Sequence, residues 1–158
     1  MSEEIGDYRL KLAVVLVVEL KDTTLDALIE RLNLEQEDVE LQPETKSGRT
    51  FVYVFQRKFE SENMTLTGIH EKVEELFGGC LNQCIPRAAQ LKEIADEGAV
   101  VQAGVSILSS MLFNNFYLSP DHIALLNEWG ASFSILSRSS TKAPKVDNGN
   151  VDVQLPKD

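Results

Sequence analysis

Polar and apolar residues alternate over several segments of the chain, which is the pattern of a β-strand with at least one face in a core. The longest such segment covers residues 8–20, where every even position is apolar. Its odd positions are charged near both ends but become Ala13, Val15 and Val17 in the middle. A strand that is covered on both faces at its centre has this composition, so we place it centrally in a sheet.

Shorter segments predict the remaining strands. Aromatic and β-branched residues alternate over 51–56, and apolar residues alternate with Gln, Gly and Ser over 101–107. Residues 133–135 repeat the alternation, and Val39 with Leu41 indicates a short edge strand. The sequence therefore predicts a sheet to which distant parts of the chain contribute.

Between these strands, apolar residues three and four positions apart indicate helices. The first helix carries its apolar stripe over residues 25–32, after a capping-box spacing from Thr23 to Asp26. A long helical segment follows from about residue 66 to residue 97, with an interruption at Gly78-Gly79 and a bend at Pro86. We expect these helices to form one layer against the sheet.

A strand, a helix and a strand over residues 99–138 form the unit with the clearest boundaries. Ser119 can accept hydrogen bonds from the first amides of the helix, Pro120 fits its first position, and Asp121 suits the positive end of its dipole. Gly130 ends the helix. We interpret this unit as scaffold.

In order, the predicted elements are strand, helix, weak strand, strand, broken helix, strand, helix and strand. We expect an α+β fold with a ferredoxin-like β-α-β-β-α-β core that is extended by a C-terminal helix and strand. The sheet is expected to be mostly antiparallel or mixed, with the helices on one face. The other face is expected to be more open and polar, with Arg9, Lys11, Arg49 and Arg57 solvated on it. Two β-α-β units joined by helices are the alternative.

The same patterns divide the chain into three parts. Residues 1–7 are a polar lead, and residues 8–138 form a single α+β domain. Residues 139–158 are rich in Ser, Thr, Pro, Asn and Gly, with balanced Lys and Asp. This composition predicts a flexible polar tail.

The net charge of the 158 residues is -10 at pH 7. An acidic surface repels phosphate backbones and anionic lipid headgroups, so neither nucleic acid nor a membrane is an expected partner. A basic protein would be attracted, although solubility alone also explains the charge. The longest apolar run, 12–18, is shorter than the roughly 20 residues of a membrane span, and no secretory signal is visible at the start. We expect a cytoplasmic protein.

Three segments of the chain carry a family resemblance: residues 24–34 after the first strand, residues 86–95 in the broken helix, and residues 118–135. From Leu12 to Arg138 the chain resembles a family of uncharacterised bacterial domains of unknown function. The third segment carries most weight, because many members pass from a capped short helix through Gly into a final alternating strand. The resemblance implies a small cytosolic α+β protein without assigned catalytic residues and, by analogy, an immunity-like role.

Two segments are candidate surfaces for a partner. Acidic residues surround the weak strand at 39–41, and aromatic residues flank an Asn-Asn turn in the connection 111–118, which composition rules expect to be polar. Exposed aromatic residues are typical anchors of interfaces, and packing into the core is the alternative for this loop. We expect a non-catalytic protein-binding module, with a basic partner contacted by Glu37, Asp38, Glu40, Glu44, Phe113, Asn114, Asn115, Phe116 and Tyr117.

Catalytic and metal chemistry is the weaker hypothesis. His70 and Glu74 are one helical turn apart, as in metal-binding helices, but the sequence offers no third ligand at a suitable spacing. Cys80 and Cys84 are four residues apart on one helix and are expected to be reduced, because this spacing suits a disulfide poorly. We expect no metal, no cofactor and no enzymatic activity.

Two other functions remain open at this point. One is a small-ligand-binding protein or weak enzyme with a pocket near His122 and Trp129, between the sheet and the last helix. The other is a structural homodimer joined through an open edge or face of the sheet.

Overall fold

The strand predicted to be central, β1 (Leu10–Glu19), lies in the middle of a sheet in the computed structural model, which describes residues 10–61, 65–109 and 118–139. The order of elements is the one that the sequence predicts, and the α+β class is confirmed. After β1 come α1 (Leu25–Leu32), β2 (Val39–Leu41), β3 (Phe51–Ser61), α2 (Leu66–Cys84), α3 (Ala88–Asp96), β4 (Val101–Ser109), α4 (Pro120–Glu128) and β5 (Ser132–Ser139).

The described strands form a five-stranded mixed sheet in the order β2-β3-β1-β4-β5. β1 is antiparallel to both of its neighbours, β3 and β4. β2 is antiparallel to β3 at one edge, while β5 is parallel to β4 at the other. Every residue of β1 is buried, which confirms the prediction of a strand covered on both faces.

The even residues of β1 face the helices. They join Val101, Ala103, Val105 and Ile107 of β4 in one core cluster. All of the α-helices contribute to this cluster, with Leu28 of α1, Phe77 of α2, Leu91 of α3 and Leu126 of α4 among its members. We call this side of the sheet the helix face.

The odd residues of β1 point to the opposite side, which we call the second face. Ala13, Val15 and Val17 form a separate buried cluster with Phe51 and Tyr53 of β3. The expectation of an open polar face with solvated cations is wrong.

Arg9 lies outside the described residues, and the other three cations expected there each depart from that prediction. Lys11 is only 4% exposed. Arg49 is half-buried and forms an ion pair with Glu19. Arg57 pairs in register with Val14 and therefore lies on the helix face.

A β-bulge in β3 changes the direction of these side chains. Val14 pairs with Arg57 and Leu16 pairs with Val54, so two residues, Phe55 and Gln56, lie opposite the single residue Val15. Phe55 has a φ of 54°, a left-handed conformation that is unfavourable for an aromatic residue. The bulge places Phe55 in the helix-face core, where the Arg87 guanidinium lies 4.9 Å from its ring centroid.

The structure corrects two sequence predictions about the helices, the residue that caps α1 and the break in α2. Thr24, rather than Thr23, caps α1 by accepting a hydrogen bond from the Ala27 amide. The predicted interruption at Gly78-Gly79 is absent, because α2 continues through both glycines to Cys84 and the bend falls at the 3₁₀ turn Ile85–Arg87. Gly79 instead leaves room for Arg57, whose Nη1 lies 3.1 Å from the position that a Cβ would take there.

A partly buried ion pair joins the end of β1 to the segment just before β3. Arg49 Nε donates to Glu19 Oε2 at 2.9 Å and Arg49 Nη2 donates to Oε1 at 3.2 Å, while the Val100 amide donates to Oε1 at 3.0 Å. The hydrogen bond from Arg49 holds the pKa of the Glu19 carboxyl below its usual range. The carboxylate is therefore the form that the folded state favours.

The lowered pKa of Glu19 predicts that Glu19→Gln reduces the free energy of unfolding by an amount that depends on pH. Because the pKa of Glu19 is lower in the folded state, its contribution is complete at pH 7 and is lost as the pH falls below 4.5 and through the folded-state pKa. We expect a loss of about 1–3 kcal/mol in the free energy of unfolding at pH 7, measured by urea titration, and a smaller difference from wild type below pH 4.5.

The control for this measurement is Glu44→Gln, which removes one carboxylate from an exposed residue without an ion pair in the described part of the chain. It should change the free energy of unfolding by less than about 0.5 kcal/mol at either pH. An equal cost for both variants, or a Glu19→Gln cost that does not change with pH, would contradict the assignment.

Candidate functional site

The residues of the predicted acidic surface lie together at one edge of the sheet. The 3₁₀ turn Gln36–Asp38 leads directly into β2, and the Asp38 carboxylate accepts a hydrogen bond from the Glu35 amide at 2.9 Å. Val39 then packs against the helix-face core, which holds β2 in place beside β3. We call residues 37–44 the acidic edge.

Carboxylates on the acidic edge are available to solvent. Glu37, Glu40 and Glu44 are exposed, and within the described ranges no ion pair joins any of them to a basic residue. Leu41 is 51% exposed beside them. Asp38 differs from its neighbours, because it is half-buried and already accepts the hydrogen bond of the turn.

The backbone of β2 also has one unpaired side. Gln42 donates its amide to the Phe51 carbonyl at 2.9 Å, so residues of the same parity, including Glu40, direct their backbone groups towards β3. The Leu41 amide and the carbonyls of Val39 and Leu41 therefore face outward, where the described sheet has no further strand, while the Val39 amide donates to the Gln36 carbonyl of the preceding turn. An edge of this kind is a template for an added strand.

A cleft of about 320 Å³ adjoins the acidic edge. Glu37 and Glu40 line one side, and Tyr53, Phe55 and Arg57 of β3 line the other. The bulge produces this arrangement, because it directs Phe55 and Arg57 to a position beside β2 that a regular strand would not give them. Carboxylates and aromatic rings are suited to a cationic side chain.

A second cleft, of about 210 Å³, lies between α2 and the start of α4. Both histidines of the chain line it, together with Glu74, Phe77 and Ser119. His70 and Glu74 share one side of α2, and His122 lines the opposite side from the first turn of α4, which Ser119 caps by accepting a hydrogen bond from the His122 amide. The His122 ring lies edge-on to Phe77, with 5.4 Å between the ring centroids. We call this the histidine cleft.

The histidine cleft combines several kinds of polar group. Its lining offers imidazole, carboxylate and hydroxyl groups, which suit hydrogen bonding to a small polar molecule. Among the residues that the structure describes, no group of three or more His, Cys, Asp or Glu side chains could hold a metal ion.

The structure separates the two residues predicted to lie near a ligand pocket. His122 lines the histidine cleft, whereas Trp129 is 0% exposed in the helix-face core at the end of α4. The large apolar indole is buried under α4, so it cannot contact a ligand in the histidine cleft.

The predicted aromatic loop residues Phe113, Asn114, Asn115, Phe116 and Tyr117 lie outside the described residues. The cysteines are both free and buried, and Cys84 Sγ donates to the Cys80 carbonyl at 3.3 Å. Contact with Cys80 and burial raise the pKa of the Cys84 thiol. Cys84 is therefore a protonated core residue and not a nucleophile.

A third cleft, of about 390 Å³, was not predicted from the sequence. It is lined by charged residues from the loop after β1, from α1 and from the end of α3, including Lys21, Asp22, Arg31 and Glu97. Arg31 already forms ion pairs with Glu97 at 2.6 Å and Glu93 at 3.5 Å. These residues are distant in the sequence, so no local pattern indicates that they meet.

Comparison of the chain with protein-family models, with curated proteins and with solved structures finds no match. In the described part of the chain, no helix has the length and apolar character needed to cross a membrane.

Proposed function

We propose that this chain is a non-catalytic protein-binding module whose acidic edge receives a basic segment of another protein. One observation carries the proposal: the exposed carboxylates of Glu37, in the turn before β2, and of Glu40, in β2, lie beside the exposed Leu41 side chain and the outward-facing backbone groups of the same edge strand. In an extended basic segment, cationic side chains would match the carboxylates, an apolar side chain would match Leu41, and backbone groups would pair with those of the edge strand. Such a segment would be a strand added to β2.

Charge and geometry have different roles in this binding mode. The carboxylates and the net charge of -10 attract a basic partner over a distance of about a Debye length and raise its association rate. Backbone hydrogen bonds to the Leu41 amide and to the Val39 and Leu41 carbonyls, and burial of the Leu41 side chain, then hold the segment in register. The same carboxylates oppose pairing of the edge with a second acidic copy of the chain.

We further propose that the fold has a ferredoxin-like core extended by α4 and β5. The order β2-β3-β1-β4, with every pair antiparallel, supports this topology, and the parallel strand β5 is then the addition. Membership of the bacterial family of domains of unknown function, a cytoplasmic location and an immunity-like role are part of the same proposal. In that role the basic partner would be a toxin.

The test is a charge reversal on the acidic edge, Glu37→Lys with Glu40→Lys. We expect this variant to lose a basic partner that the wild-type chain retains in a pull-down from the producing cells, identified by mass spectrometry. The loss should be at least tenfold at low salt, because attraction becomes repulsion at two positions.

The matched control is Glu30→Lys with Glu128→Lys, which changes the net charge equally at exposed positions on α1 and α4. The control should retain the partner. Equal retention by both double variants, or equal loss from both, would contradict a role for the acidic edge. Backbone amide shifts of Val39 and Leu41 on titration with the identified partner distinguish strand addition from contact through side chains alone.

The histidine cleft supports a second candidate function, the binding of a small polar molecule. The observation that favours it is the meeting of both histidines with Glu74 and Ser119 around one cleft, although they come from two distant elements. Trp129 would not report such binding by fluorescence, because its ring is buried elsewhere. The imidazole resonances of His70 and His122 are the direct reporters.

Gly78 provides a matched pair of variants for this candidate. A Cβ at Gly78 would lie 3.8 Å from the His122 ring, which is an ordinary contact, so Gly78→Ala should preserve the cleft and Gly78→Leu should fill it. We expect metabolites that shift the His122 resonances of wild type and Gly78→Ala to lose at least tenfold in affinity for Gly78→Leu. A broad metabolite library that shifts neither histidine in the wild-type chain would contradict this function.

A further inference from the structure

The third cleft, beside the end of β1, has a lining that is partly charged and partly apolar. Its volume of about 390 Å³ is within the range of sites that bind small molecules. Leu28 of α1 and Ile94 of α3 supply apolar surface, and both side chains are otherwise almost fully buried. The charged side chains of the lining are the carboxylates of Glu19, Asp22 and Glu97 and the cations of Lys21 and Arg31.

Three of these charged side chains already have partners within the protein. Arg31 forms an ion pair with Glu97 at 2.6 Å. The Glu19 carboxylate accepts hydrogen bonds from the Arg49 guanidinium and from the Val100 amide. Glu19, Arg31 and Glu97 therefore form fixed walls of the cleft.

Lys21 and Asp22 are the other two charged residues of the lining. Among the described residues, no hydrogen bond or ion pair joins either side chain to a neighbour. The Lys21 ammonium attracts the Glu19 carboxylate through space, but Arg49 and the Val100 amide already donate to the oxygens of that carboxylate. The lining thus offers a ligand one cation and one carboxylate.

The backbone brings both of these side chains to the cleft. Asp22 has a φ of 55°, a left-handed conformation that Asp and Asn adopt more readily than most residues. Lys21 reaches the end of α3, where its Nζ lies 2.9 Å from the position that a Cβ would take at Gly98. Gly98 has a φ of 92°, so glycine both suits this backbone and leaves space for the ammonium.

The charges of the lining favour a ligand that carries both signs. A simple anion would meet three carboxylates in the cleft and a net charge of -10 on the chain. A simple cation would leave Lys21 without an acceptor. A molecule with one carboxylate and one ammonium can pair with Lys21 and Asp22 together, and an apolar group on it can contact Leu28 and Ile94.

We propose that the third cleft binds a free α-amino acid with an apolar side chain. Its carboxylate pairs with Lys21, its ammonium pairs with Asp22, and its side chain contacts Leu28 and Ile94. The described residues that line this cleft all differ from those of the acidic edge and of the histidine cleft, so the inference is independent of both.

The direct test is a titration of the isotope-labelled full-length chain with leucine, isoleucine, valine and methionine, each to about 10 mM. A ligand with a dissociation constant of about 1 mM is then about 90% bound. We expect at least one of the four to cause saturable shifts of the Lys21, Asp22 and Gly98 backbone amides. The absence of such shifts with all four would overturn the proposal, as would shifts confined to the imidazoles of His70 and His122.

Analogues that lack one charge test the pairing without altering the protein. For leucine they are isocaproate, which has no ammonium, and isoamylamine, which has no carboxylate. Each should bind at least about tenfold more weakly than leucine, because each loses a hydrogen bond between charged groups. Glycine should also bind more weakly, because it has no side chain to contact Leu28 and Ile94. An affinity equal to that of leucine for any of these three molecules would overturn the proposal.

Matched variants of the chain test the two residues. Lys21→Met and Asp22→Asn each remove one charge with little change in shape, and Asn also suits the left-handed backbone at this position. We expect at least about a tenfold loss of affinity in each. The controls Lys46→Met and Asp26→Asn remove the same charges from exposed residues outside the cleft and should bind as the wild-type chain does. Urea titration verifies that all four variants fold, and equal affinity of either variant and its control would overturn the proposal.

Discussion

The structure depends on one constraint, which is that β1 is apolar on both of its sides. Leu12, Val14 and Leu16 require a cover on one face of the sheet, and Ala13 with Val15 requires a cover on the other. Burial of each of these leucine and valine side chains contributes about 1.5–3 kcal/mol, so leaving either face in water would remove much of the stability of a domain of this size. The helices meet the first requirement, and on the second face Ala13 and Val15 are buried in a cluster with Phe51 and Tyr53.

The position of β1 also explains where the candidate sites lie. A central strand with two antiparallel neighbours leaves the functional surfaces to the margins, where β2 forms a short exposed edge and α4 meets α2. The bulge opposite Val15 opens the cleft beside β2 by turning Phe55 and Arg57 to the helix face. The core thus sets the geometry of the edge, and the exposed acidic residues set its charge.

Much of the fold is visible in the sequence, because periodicity and capping are local. The alternation over β1, the Ser119 cap and the order of elements are examples. The αL residue Phe55 is not visible, since its conformation is imposed by the pairing of β3 with β1. Lys11 is expected from composition to be solvated, but it is only 4% exposed, because burial depends on contacts that local composition does not reveal. Gly78-Gly79 indicates a break, but α2 continues through both glycines, and the Arg57 guanidinium lies against Gly79.

The candidate sites also differ in how far the sequence predicts them. The residues of the acidic edge are contiguous, so the sequence alone predicts them as a group. The hydrogen bond by which Asp38 holds the turn is visible only in the structure. The histidine cleft joins α2 to α4, and Arg87 joins the turn after α2 to the end of α1 through hydrogen bonds to the Leu32 and Asn33 carbonyls. Such contacts between distant segments have no local sequence signal. For this reason Trp129, a natural candidate for a ligand pocket, proves to be a core residue.

Native-state hydrogen exchange of the full chain, measured at individual backbone amides, tests the central role of β1 most directly. We predict that the amides of Leu12, Val14 and Leu16 exchange only through global unfolding, with a free energy equal to that from urea titration, while the amides of β2 exchange through local opening. Exchange of the β1 amides at a lower free energy than those of α2 would contradict the account.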